Sequence, residues 1–284
     1  MRYQRFYPAF ARFPVFVLAL SALIAVTSIA KAGDRDRIQA FLEITGFDVA
    51  LDSIALSAAS APEMLGMDSN AFGSDWNRLT DEVFDTGVMR KMALDILEAT
   101  LSDDLLNHAA AFYASDLGQR LVVAENASHM ETDDDAKRAG GEALIADMVR
   151  TGSPRLELIN RMTRAIDVSG SSLRALQEIQ VRFLMSASAA GVVELRMDAN
   201  ELRAFFKSRE GEMRRAIQKS ALSGAAQTYR GFSDDDVLAY VEALEEAQMM
   251  RVYELLNAVQ YEVMANRFEE LARRMAELHP GQDI

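Results

Sequence analysis

Between Ser233 and His279 the chain contains neither glycine nor proline. Val237, Val241, Leu244, Val252, Leu255 and Val259 recur there at helical intervals, with Gln248 in register. Such spacing gathers side chains on one stripe of an α-helix, whereas a half-buried strand needs a period of two. The segment is therefore expected to be one long helix or two helices meeting at a tight corner. Shorter stretches repeat the pattern from residue 35 onward, and none alternates as a strand would. The expected fold class is all-α.

The helices can be placed coarsely. One is expected from Arg35 to Ala58, interrupted by Gly46, with Ala61 and Pro62 ending it. Ser74 is expected to cap a second helix that carries Trp76, Leu79, Val83, Met92 and Leu97, with Gly87 inside it. Ser102 suits an N-cap, and Asp103 and Asp104 follow in the first turn, where the helix dipole favours anions. Residues 131–141, ETDDDAKRAGG, read as an acidic surface loop or boundary. Ser153 and Pro154 suit a helix start, and Asn200 is expected to cap a later helix.

The first 32 residues are a different material. Arg2, Arg5, Arg12 and Lys31 occur there with no acid. An apolar run, Val15 to Val26, precedes Ala30, Lys31 and Ala32. A basic start, a short apolar stretch and a small-x-small site describe a secretory signal peptide, with cleavage expected between Ala32 and Gly33. The run is shorter than the roughly 20 residues of a bilayer span, so no stable membrane anchor is expected after signal removal. A periplasmic or secreted location follows. Cysteine is absent, which rules out disulfides, thiolate metal sites and cysteine nucleophiles. The formal net charge is −13 and becomes more negative once the basic leader is gone. A surface of that sign repels nucleic acid.

Residues 101–104, LSDD, return as FSDD at 232–235. At the same offset Arg120 meets Arg251, Asn126 meets Asn257, and Leu42 meets Leu173. These agreements suggest an internal duplication, with one helical half at residues 33–140 and another at 141–284, joined near 131–172.

The stretch AFYASDLGQR, residues 111–120, marks a corner. Phe112 and Tyr113 close one apolar stripe, and Leu117 and Leu121 open the next. Ser115 can cap the new helix, Gly118 falls in its first turn, and Arg120 follows. Packing explains all five positions. An interaction site built on Tyr113, Ser115 and Arg120 is the alternative, because binding residues gather at such corners.

Two phrases carry a resemblance. Leu42, Thr45 and Gly46 lie in RIQAFLEITGFDVALDSI, residues 37–54. Phe112, Tyr113, Ser115 and Gly118 lie in LSDDLLNHAAAFYASDLGQRL, residues 101–121. Together with the leader they resemble the bacterial exported helical family catalogued as domain of unknown function 2059. The residue after the serine is often proline there and is Asp116 here. The second copy departs further, with Ala243, Leu244, Glu246 and Met249 at the four motif positions. The resemblance implies an exported helical protein and supplies no activity.

No signature of a nucleotide loop, a zinc protease or a serine hydrolase occurs. His108 follows Asp104 by four residues, so the two could face each other on a helix, but a metal needs further ligands. His129 lies near Glu125, Glu131 and Asp133 to Asp135, acids that lack the alternating spacing of a calcium loop. No metal, no cofactor and no catalytic residue is assigned. The 15 methionines suit either core filling or a soft groove for apolar segments. Three functional classes stay open. The first is a non-enzymatic binding protein of the cell envelope, whose partner would be an envelope protein, an apolar peptide segment or a lipid tail. The second is a hydrolase with an unfamiliar site drawn from Asp104, His108 and His129. The third is a structural protein that self-associates as a homodimer.

Overall fold

The computed structural model describes residues 34–68, 72–167 and 170–278. The expected signal peptide and His279 lie outside the described residues. Among those described, helix is the only regular structure and no strand occurs. The chain is all-α.

Helix α1 covers residues 34–45. Thr45 ends it by donating its hydroxyl to the carbonyl of Phe41 at 2.8 Å. Gly46 then turns the chain at φ 71°, a left-handed conformation that glycine adopts without a Cβ clash. Thr45 and Gly46 are thus one device for breaking a helix. Helix α2 (Phe47–Asp52) leads into a 3-10 stretch (Ser53–Ser60) and α3 (Ala61–Met64), so Pro62 opens a short helix where a terminator was expected.

The second expected helix is two, α4 (Asp75–Val83) and α5 (Thr86–Thr100). Asp85 forces the division by capping α5, accepting from the Val88 amide at 2.8 Å. Ser74 precedes α4 but makes no side-chain cap. Helices α6 (Asp103–Tyr113) and α7 (Asp116–His129) follow. Ser102 caps the first, and Ser115 caps the second by accepting from the Gly118 amide at 3.1 Å.

The acidic, glycine-ended stretch expected as a loop is the start of α8 (Asp134–Thr151). Asp133 caps it, accepting from the Ala136 amide at 2.9 Å. Its glycines serve packing: a Cβ on Gly141 would lie 2.1 Å from the Ser223 carbonyl of a later helix. Helices α9 (Arg155–Ile166) and α10 (Ser171–Ala189) come next. Asp198, two residues before Asn200, caps α11 (Ala199–Ser208) in a reciprocal box with Glu201. Arg209 separates α11 from α12 (Glu210–Thr228).

The C-terminal stripe is two helices, α13 (Asp234–Leu244) and α14 (Ala247–Met275), with their corner at Glu245 and Glu246. Helix α14 has 29 residues, about 43 Å at 1.5 Å each. It lies along α10 and also meets α4, α5, α6 and α9, while α12 lies along α8. From Ile38 onward the chain forms one compact unit. Its main core runs from Phe41 through Leu97, Phe183 and Tyr240 to Met275. Met89, Met162, Met249 and Met275 are fully buried in it, so these methionines fill the interior. No described helix is long and apolar enough to cross a membrane.

Candidate functional site

The corner between α6 and α7 is built as tightly as its sequence suggests. A Cβ on Gly118 would fall 2.4 Å from the Phe112 carbonyl and 2.6 Å from the Tyr113 Cα. Only glycine lets α7 leave α6 at this angle. Phe112 stacks on Tyr240 with ring centroids 5.8 Å apart. Arg120 reaches α13, where its guanidinium pairs with both carboxylate oxygens of Asp236 at 2.7 and 3.2 Å. It also lies 5.5 Å from the centre of the Phe232 ring. Ser115 and Arg120 therefore hold helix ends together, and Tyr113 alone of the three points inward.

Tyr113 enters a buried cluster. Glu125 of α7 accepts through Oε1 from the hydroxyls of Tyr229 at 2.7 Å and Tyr240 at 2.8 Å. Tyr253 of α14 is hydrogen-bonded to Tyr240 at 2.7 Å and, more closely, to Tyr113. Proton counting orders this chain. Each phenol has one proton, and Tyr240 gives its own to the ionised Glu125. Tyr240 then receives from Tyr253 or from Tyr113, whose hydroxyl lies 3.2 Å away, and Tyr113 and Tyr253 share a bond of their own. All four hydroxyl protons thus run toward one carboxylate. Glu125 Oε2 has no hydrogen-bond partner among the described residues, and no described lysine, arginine or histidine pairs with it.

Burial dominates the electrostatics. Loss of water raises the Glu125 pKa, and the bonds from Tyr229 and Tyr240 oppose that rise. Burial likewise lifts the phenols of Tyr113, Tyr229 and Tyr240 well above their usual value, helped by the charge of Glu125. All four tyrosines remain neutral donors at physiological pH.

This cluster borders a cavity of about 840 Å³. The walls come from α2, α6, α7, α9, α10, α12, α13 and α14. Met162, Leu173, Ile217 and Leu256 give it apolar surface, while Asn160, Asn257 and Gln260 add polar groups. Exposed Arg164 and Arg214 border it, each paired with a glutamate, Glu157 at 2.9 Å and Glu210 at 2.6 Å.

Residues 88–147 match the family described as "Uncharacterized protein conserved in bacteria (DUF2059)". The resemblance seen in the sequence holds over this segment. The DUF2059 segment runs from within α5 into α8 and brings Tyr113, Glu125 and His129 to the cavity. Tyr229, Tyr240 and Tyr253 come from outside it. No curated protein and no solved structure matches the chain.

The three polar candidates do not assemble. Asp104 is exposed in the first turn of α6 and forms no ion pair with His108. His108 instead meets Glu246 at the start of α14, 3.2 Å away. The helix corner in the C-terminal segment, whose position the sequence left open, supplies that partner. His129 alone of the three borders the cavity. Desolvation lowers its pKa, with a further push from the charge of Lys137. Among the described residues no group of three His, Cys, Asp or Glu is placed to hold a metal ion.

Sequence reasoning placed Glu125 only among the acids near His129, and missed its role and three of the tyrosines. One signal was there. Beyond the leader the chain has only five tyrosines, and four of them meet at this carboxylate.

Proposed function

We propose that this chain is an exported, non-enzymatic binding protein that holds a small amphipathic molecule in the cavity above Glu125. The observation that carries this reading is the cavity itself. Its roughly 840 Å³ lies in the usual range of small-molecule sites, about 300–1,000 Å³, and it combines apolar walls with a few convergent polar groups. The order of the first 32 residues supports export, and the DUF2059 match fits a bacterial protein.

The test is native mass spectrometry of the full-length chain expressed in a bacterium and recovered from the cell envelope. A protein beginning at Gly33 and carrying extra mass that leaves on gentle activation is expected. A bare protein, whose stability no member of a broad small-molecule set alters, would overturn the binding reading. A product that retains residues 1–32 would overturn export.

We also read the corners α6–α7 and α13–α14 as copies of one unit. Supporting this, α6 and α13 both have 11 residues, and each is capped by a serine before two or more aspartates. The correspondence extends to the next N-caps, Ser115 and Glu246, which share an extended backbone. An experimental structure in which the two corners fail to superpose would end this view.

A further inference from the structure

We propose that the ligand is a small organic cation whose protonated amine lodges against Glu125 Oε2. This rests on the binding reading above and specifies its chemistry.

The argument begins with valence. Glu125 Oε1 is occupied by two phenols, from Tyr229 and Tyr240. Oε2 has no partner among the described residues, yet the side chain borders the cavity. Glu125 is half-buried and its second oxygen opens on the cavity, where a positive charge or a further donor would offset the loss of bulk water around the carboxylate. The protein provides no base for it. The hydroxyl chain stabilises the anion through Oε1 alone and leaves the second oxygen to whatever occupies the cavity.

The neighbouring groups select the class of occupant. Tyr113 and Tyr253 stand at the outer end of the hydroxyl cluster and both border the cavity, so one of their oxygens has a lone pair open to an N–H donor. A metal ion is disfavoured, because one carboxylate and neutral phenols fall short of the oxygen ligands hard cations require. An anion is disfavoured as well. The bordering arginines already pair with Glu157 and Glu210, and the interior presents acceptors. The apolar walls at Met162, Leu173, Ile217 and Leu256 then accommodate the hydrocarbon part. The net charge of −13 draws cations from a distance.

The experiment compares hexylamine, hexan-1-ol and hexanoate by titration calorimetry on the purified mature chain at pH 7. These probes share a tail and differ in head charge. Hexylamine is expected to bind about tenfold more tightly than hexan-1-ol, the effect of one charge-assisted hydrogen bond, with hexanoate weakest. In Glu125→Gln the preference for the amine over the alcohol should vanish while the alcohol still binds. If the alcohol or the carboxylate binds wild type as well as the amine does, the cation proposal is wrong and the binding reading stands. If none of the three binds and none raises the melting temperature, both fall. The comparison in wild type decides the matter even if Glu125→Gln does not fold.

Discussion

Tyr240 donates its hydroxyl to Glu125 across 2.8 Å, although 115 residues separate them in the chain. The bond joins α13 to α7, and through Tyr253 and Tyr113 it extends to α14 and α6. Four helices are thereby fixed around one carboxylate. Side-chain networks in a low-dielectric interior reinforce each other when every member is satisfied, and they fail together when one is removed.

Tyr240→Phe should therefore cost more than its single oxygen suggests. The substitution removes one donor from Glu125 and leaves the donor phenol, Tyr253 or Tyr113, without its acceptor. A loss of about 1–3 kcal/mol is expected, the range for leaving buried partners unsatisfied. Urea denaturation of the two proteins measures it. A midpoint equal to that of wild type would mean that the cluster contributes nothing to holding the helices.

The network also shows which parts of the molecule the sequence exposes. The corner at Ser115 was readable because capping is local: the serine, the acid after it and Gly118 lie within one turn. Ser102 and Ser233 were readable for the same reason. The corner at Glu245 and Glu246 was only one of two readings of its segment. It has no glycine or proline, and Glu246 takes an extended backbone without a side-chain cap. Packing of Leu244 and Met249 into the core holds it, a tertiary cause with no local trace. The glycines of residues 140–141 misled for the converse reason. They looked like loop residues, yet Gly141 is small because α12 passes against it. The role of Glu125 was invisible because its partners come from three helices distant in sequence.

Two arginines at the same helix corner should differ sharply. Arg120 pairs with Asp236 while 55% of its side chain remains exposed. Water screens such a pair, and Arg120→Ala should leave stability almost unchanged. The Arg155 side chain is only 12% exposed. It donates to Asp234 at 2.6 Å and to the Tyr229 carbonyl, anchoring α9 to the residue that contacts Glu125. Arg155→Ala should cost about 1.5–3 kcal/mol, as for hydrogen bonds with a charged partner. Equal losses in thermal denaturation would refute this ranking.

The glycine at the α6–α7 corner offers a steric test. In Gly118→Ala the new methyl meets backbone atoms, which cannot rotate away as a flexible side chain would. A loss of about 1–3 kcal/mol is expected from overpacking. Gly224 in α12 is the contrast, since nothing lies within 4 Å of a Cβ there. Gly224→Ala should instead stabilise by about 0.4–1 kcal/mol by restricting the unfolded chain. Opposite shifts in melting temperature are the expected outcome, and a harmless Gly118→Ala would show that the corner has room to spare.

The last prediction concerns pH. Burial raises the Glu125 pKa above the ordinary 4.5. A carboxyl with a higher pKa in the native state holds its proton more tightly when folded than when unfolded. Below pH 4.5 both states are protonated, and the native state has the full benefit of a neutral buried group. As pH rises through the native pKa that benefit is lost, because the folded protein must now bury a charge. Glutamine at this position stays neutral throughout. The stability of Glu125→Gln relative to wild type should therefore improve as pH rises from the ordinary carboxylate value through the raised native one. Paired urea denaturation curves across that range measure the trend. A difference that stays constant would show that Glu125 titrates as an ordinary carboxylate, and a difference that moves toward wild type would show that the phenols lower its pKa more than burial raises it. Hexylamine should flatten the rise, since a bound cation compensates the charge that wild type buries and glutamine lacks.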